Sequence, residues 1–122
     1  MRKILLIEDE PDQVLMIGER LKAEGYAFIS ANNGEDGLKK VIEEKPDLVI
    51  IDLVIPKIDG FEVCRRMKQN PDTQKIPVII VSAYAMKEFG KIATDTGADA
   101  CLKRPHEETE LTDTIERLLG DA

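Results

Sequence analysis

What this chain lacks narrows its class first. Only two of its 122 residues are cysteine. Cys64 and Cys101 stand far apart in apolar contexts, without metal-type spacing, so they read as reduced core thiols of a cytosolic protein. Histidine occurs once. As His106, just after a proline, it reads as a surface or helix-start residue rather than a ligand or phosphodonor. No apolar run is long enough to cross a bilayer. The apolar part of the opening MRKILLIEDE is too short for a secretion signal and ends in acids. Linkers, low-complexity tracts and repeats are missing as well. Positive charge is in the minority, with 17 Lys and Arg against 24 Asp and Glu and a net charge of −7. Duplex nucleic acid and anionic membranes would repel such a chain, so neither is expected as a direct partner.

What is present suits one soluble domain over residues 1–122, with 43% hydrophobic and 34% charged residues and length enough for a core without staples. Short apolar runs alternate with amphipathic stretches five times. KILLI (3–7) predicts a strand buried on both faces. YAFISA (26–31), DLVIID (47–52), IPVIIVSA (76–83) and ADACLK (98–103) predict four more. Between them, Val14, Ile17 and Leu21 fall at helical spacing, with Pro11 at the entry and Gly25 at the exit. Leu38, Val41 and Ile42 mark a second helical face. Asp59 followed by Glu62 is a capping-box pattern ahead of Val63 and Met67. The stretch 85–97 is a poorer helix, because Gly90 inside it costs about 1 kcal/mol relative to Ala. Leu111, Ile115 and Leu118 mark the last helix, which runs almost to the end and leaves no room for a second domain. Five βα units predict an α/β fold, with a doubly wound parallel sheet and right-handed crossovers.

In an open α/β sheet, ligands bind beyond the carboxyl ends of the strands. Those ends carry Glu8 and Asp9 (first strand), Asp52 (third), Ser82 (fourth), and Lys103 with Arg104 (fifth). Carboxylates brought this close need a counter-charge. A hard divalent cation such as Mg²⁺, which takes oxygen ligands, meets that need. A carboxylate beside Mg²⁺ can attack a phosphoryl group and form an acyl phosphate. Such transfer depends on positioning and charge neutralisation, which a metal, a hydroxyl and a cation together supply. Taken singly, Asp9 or Glu10 could be only a helix cap, and Ser82 only a turn residue. Their joint placement is the stronger signal.

At these residues the sequence resembles the receiver domain of two-component response regulators, over essentially the whole chain. LLIEDEP is similar to the family's acidic pair. IIDLVIPKIDGFEV is similar to its phospho-acceptor segment, VIIVSAYA to its Ser/Thr-Ala, and GADACLKRPHE to its cation-proline segment. The resemblance implies a (βα)5 flavodoxin-like fold with strand order 2-1-3-4-5. It implies that Asp52 accepts a phosphoryl group from a sensor histidine kinase or phosphotransfer protein. It implies that Asp9, Asp52 and the Val54 carbonyl ligate Mg²⁺, with Glu8 acting partly through water. Ser82 would bond a phosphoryl oxygen, and the peptide before Pro105 would be cis. The implied protein is a cytoplasmic switch, a monomer or weak dimer. It would catalyse only its own phosphorylation and dephosphorylation and signal through a downstream protein partner.

Two positions depart from the family pattern. The family's cation before the proline is lysine, and here it is Arg104. Strand parity sends Arg104 to the phosphoryl site and Lys103 to the other face. The alternative is a bulge that turns Lys103 inward, or no functional cation at all. Arg is also no neutral replacement, being a planar fork where Lys is a point charge. The second departure is Cys101, where the family commonly has an aromatic that rotates inward. Another residue would then report the switch. Tyr84 is the candidate, unless it is simply a partly exposed aromatic. Two further classes fit less well. A phosphohydrolase would need an acid two residues after Asp52, where Val54 stands, and a flavin carrier would need a phosphate loop where EDEPDQ stands. A degenerate receiver that binds partners constitutively remains the alternative.

Overall fold

The computed structural model describes residues 1–82, 89–103 and 108–120. Along the chain run β1 (Lys3–Ile7), α1 (Pro11–Ala23), β2 (Ala27–Ala31), α2 (Gly34–Glu44) and β3 (Leu48–Asp52). They are followed by α3 (Gly60–Gln69), β4 (Val78–Ser82), α4 (Phe89–Thr96), β5 (Ala100–Lys103) and α5 (Glu108–Leu119). The strands form one parallel sheet, as the βα alternation predicts, in the order β2-β1-β3-β4-β5 that the family resemblance implies.

Side chains alternate across the sheet, so the core divides in two. Leu5, Ile7, Val49, Ile51, Val78 and Ile80 pack with Val41 of α2 and Val63, Cys64 and Met67 of α3. Ile4, Leu6, Leu48, Ile50, Ile79, Val81 and Leu102 pack with Ile17 and Leu21 of α1 and Leu111 and Ile115 of α5. Burial on both faces explains why β1, β3 and β4 read as unbroken apolar runs.

The strands after β1 are each shorter than their apolar runs, because Tyr26, Asp47, Ile76 and Ala98 precede the first paired residue of their strands. Ile42 departs from its expected face: it is 58% exposed, while Val41 beside it is fully buried. The Asp59–Glu62 pattern closes only one way. Asp59 Oδ1 accepts from the Glu62 backbone N–H at 2.8 Å. The Glu62 carboxylate turns instead to Arg65 and Arg66. Hydrogen bonds from Arg66 and then Arg65 hold its pKa below the usual carboxylate value.

Candidate functional site

The carboxyl ends of β1 and β3 lie side by side, since Ile7 pairs with Ile51. The Glu8 amide still bonds the Ala31 carbonyl at 3.0 Å, and the Leu53 amide bonds the Val81 carbonyl at 3.1 Å. The ladder therefore fixes both chain segments one residue past their strands. There Glu8, Asp9 and Asp52 converge, with one carboxylate oxygen from each lying within 4.8 Å of the others. Glu8 is fully buried, Asp9 is exposed and Asp52 is half-buried. The cluster thus has a sealed floor and an open mouth.

Backbone donors orient two of these acids. The Glu10 amide donates to Glu8 Oε2 at 3.2 Å, and the Val54 amide donates to Asp52 Oδ1 at 3.2 Å. Helix capping does not account for the acidic pair. The N-cap of α1 is Glu10, and it makes no side-chain capping bond, while Pro11 lacks the N–H a cap would serve. A donor set made only of carboxylate oxygens, one buried and two accessible, suits a hard divalent cation such as Mg²⁺ or Ca²⁺ and not a soft one.

Two glycines hold the segment after Asp52 in place. A Cβ on Gly60 would lie 2.3 Å from the Asp52 carbonyl oxygen, and one on Gly34 would lie 1.8 Å from the Ile58 carbonyl oxygen. The Gly60 amide donates to Leu53 O at 2.9 Å, and the Gly34 amide to Pro56 O at 3.2 Å. In the sequence, Gly60 stands out only as part of the acceptor motif and Gly34 does not stand out at all. Their close approach to the β3–α3 loop is a three-dimensional fact with no local signal beyond the residue type.

Ser82 ends β4, is 8% exposed, and pairs in register with Lys103 of β5. Lys103 is exposed. Cys101, two residues before it, packs against the α2–α3 side of the sheet, and Leu102 against the α1–α5 side. Alternation therefore puts Lys103 on the α2–α3 side. Asp52 follows Leu48 and Ile50 on the α1–α5 side. Val54, whose carbonyl the family resemblance assigns to the metal, is 62% exposed. Arg104, Pro105, His106 and Tyr84 lie outside the described residues.

The two thiols are free. Cys64 is buried and donates to Thr96 O at 3.5 Å, and burial raises its pKa. Cys101 is only half-buried, yet burial and then the nearby Cys64 push its pKa up to about 11. Neither is a reactive thiolate at neutral pH. Among the described residues, no helix is long and apolar enough to cross a membrane.

The profile of the response regulator receiver domain matches residues 4–116. The polar-differentiation response regulator DivK of Brucella anthropi is 31% identical over 99% of this chain and 98% of its own length. Protein PilH of Pseudomonas aeruginosa is 33% identical over 98% and 99%. The Bacillus subtilis alkaline phosphatase synthesis regulator PhoP is 36% identical, but the chain spans only 48% of that protein. Among solved structures, the receiver domain of a histidine kinase from Syntrophus aciditrophicus superposes with a TM-score of 0.92. It is 30% identical, over 100% of this chain and 92% of that one. A receiver domain of a Pseudomonas aeruginosa sensor kinase, 24% identical, shares the fold with a TM-score of 0.89 over 98% of each chain. That structure has a magnesium ion coordinated in its active site cleft. The chain belongs to the response regulator receiver domain family.

Proposed function

We propose that this domain is a phosphorylation-dependent switch in which Asp52 accepts a phosphoryl group from a phosphohistidine on a sensor kinase or phosphotransfer protein. The convergence of Glu8, Asp9 and Asp52 within 4.8 Å carries this reading. Three carboxylates in one pocket are costly without a counter-charge, and Asp52 ends its strand at the open side of the cluster. Glu8, Asp9, Asp52 and the Val54 carbonyl would hold Mg²⁺, with Glu8 acting partly through water. The ion would supply neutralisation of charge on the transferring group. The Val54 N–H fixes the plane of the Asp52 carboxylate. A carboxylate oxygen of Asp52 attacks phosphorus, the O–P bond forms as the P–N bond breaks, and the imidazole, protonated on its other ring nitrogen, keeps the P–N electron pair and leaves as the neutral base.

Ser82 would bond a phosphoryl oxygen, and Arg104, before a cis-Pro105, would offset the added charge. Lys103, exposed and in register with Ser82, is the alternative to Arg104. With Cys101 in place of an aromatic, Tyr84 is the candidate reporter. The setting is cytoplasmic, the output a changed affinity for a downstream protein, and the domain turns over no external substrate.

The test is labelling by a small acyl-phosphate donor with Mg²⁺. A single hydroxylamine-labile phosphoryl group on Asp52, lost in Asp52→Asn, is expected. Failure to label with any phosphodonor would instead make the domain a constitutive binding module.

A further inference from the structure

Asn33 precedes Gly34, and in a flexible chain this pair undergoes spontaneous deamidation. The Gly34 backbone nitrogen attacks Cγ of Asn33, the C–N bond of a succinimide forms, and ammonia leaves. Water then opens the ring at either carbonyl, giving a normal aspartyl or an isoaspartyl linkage at position 33. The reaction needs a mobile side-chain amide, a Gly34 N–H able to lose its proton, and room for the backbone to bend.

The fold withholds all three. Asn33 is 7% exposed and caps α2 in extended backbone with φ −158° and ψ 166°. Its Oδ1 accepts from the Asp36 amide at 2.8 Å. Its Nδ2 donates to Asp36 Oδ2 and to Asn32 Oδ1, both at 2.9 Å. The nucleophile is also engaged, since the Gly34 N–H donates to Pro56 O at 3.2 Å. The backbone has little room to move toward the β3–α3 loop, because a Cβ on Gly34 would sit 1.8 Å from Ile58 O. The same contacts make the products hard to accommodate. An isoaspartyl link adds a methylene to the main chain next to the close approach of Gly34 to Ile58. The normal aspartyl product would place a carboxylate oxygen against Asp36 Oδ2, where an N–H donor now stands.

We infer that Asn33–Gly34 is a modification site gated by unfolding, silent while α2 is docked on the β3–α3 loop and irreversible once ammonia has left. Each excursion that frees this junction exposes it to water, so the modified fraction records past opening of α2.

The experiment incubates the full chain at one pH and temperature, with and without denaturing urea, and follows deamidation of the 33–34 peptide by mass spectrometry. The urea sample should react at the rate of a short Asn-Gly peptide, and the native sample at least ~100-fold more slowly, as opening free energies of ordinary size dictate. Equal rates in the two samples would overturn the proposal. Asp36→Ala, which removes one Nδ2 acceptor, should speed the native reaction several-fold and leave the urea rate unchanged, and an unchanged native rate would refute the side-chain clamp. The isolated isoaspartyl product, returned to buffer, should unfold at lower urea than the parent. An unaltered midpoint would refute the argument that the fold cannot accommodate the product.

Discussion

Replacing Gly60 by Ala separates two effects that usually travel together, stability and the geometry of Asp52. At the start of a helix, Ala for Gly should help by up to about 1 kcal/mol through propensity alone. Here the new Cβ would meet the Asp52 carbonyl oxygen at 2.3 Å, Leu53 Cα at 2.9 Å and the Asp52 carbonyl carbon at 3.0 Å. All three are backbone atoms, so no side-chain rotation relieves the contact. Overpacking of this kind costs about 1–3 kcal/mol, and rigid neighbours place it toward the upper end. The net expectation is a loss of about 1–2 kcal/mol, a urea midpoint lower by roughly 0.5–1 M for a domain with an ordinary denaturant slope. The chain must also shift at Asp52, so Mg²⁺-dependent labelling per folded molecule should fall.

Gly25→Ala is the control. Gly25 has φ +92° and nothing within 4 Å of a Cβ, so it should lose about 1 kcal/mol from left-handed strain and label normally once folded. If Gly60→Ala matches the parent in both midpoint and labelling, the close approach does not position Asp52.

Lys57 holds φ 69° without being glycine, and its ion pair with Glu35 is long, at 3.9 Å, between largely exposed groups. Lys57→Gly should therefore raise stability by about 1 kcal/mol in urea titration, and a destabilised variant would contradict this. Asp9→Ala should abolish Mg²⁺-dependent phosphorylation without unfolding the domain; undiminished labelling would remove the metal mechanism. The raised Cys101 pKa gives stability that is fully present below the unfolded value of 9.0 and lost as pH rises toward about 11, because only the unfolded chain ionises there. Between those pH values the parent should lose more stability than Cys101→Ala, and parallel urea midpoints would count against it.

The architecture was legible because burial on both faces leaves an unmistakable mark. ILLI, LVII and VIIV are apolar at every position, and each of these residues is fully buried. Edges and helix faces were less legible. Ile42 reads as core by spacing, yet it stays 58% exposed while Val41 beside it takes the buried position. Glu62 has the spacing of a capping box, but Arg65 and Arg66, one turn on, compete for its carboxylate and win it.

The acidic site was legible for a different reason, and only in part. Glu8 directly follows one apolar run and Asp52 closes another, so a parallel sheet must deliver both to one edge. Sequence order alone leaves open whether their strands are neighbours. That follows from the order β2-β1-β3, which sets Ile7 beside Ile51 and makes convergence a matter of register. The loop geometry lies deeper. Asp52 stays where β3 leaves it because Gly60 lets α3 start against its carbonyl and Gly34 lets α2 start against Ile58. The two glycines fix three helix and strand ends to one another. In the proposed mechanism the carboxylates supply the chemistry, and the absence of two side chains lets the loop that carries Val54 pack closely against the ends of β3, α2 and α3. Substitutions at Gly34 and Gly60 should therefore damage phosphorylation as surely as substitutions at the acids, although neither glycine has a side chain that could touch a phosphoryl oxygen.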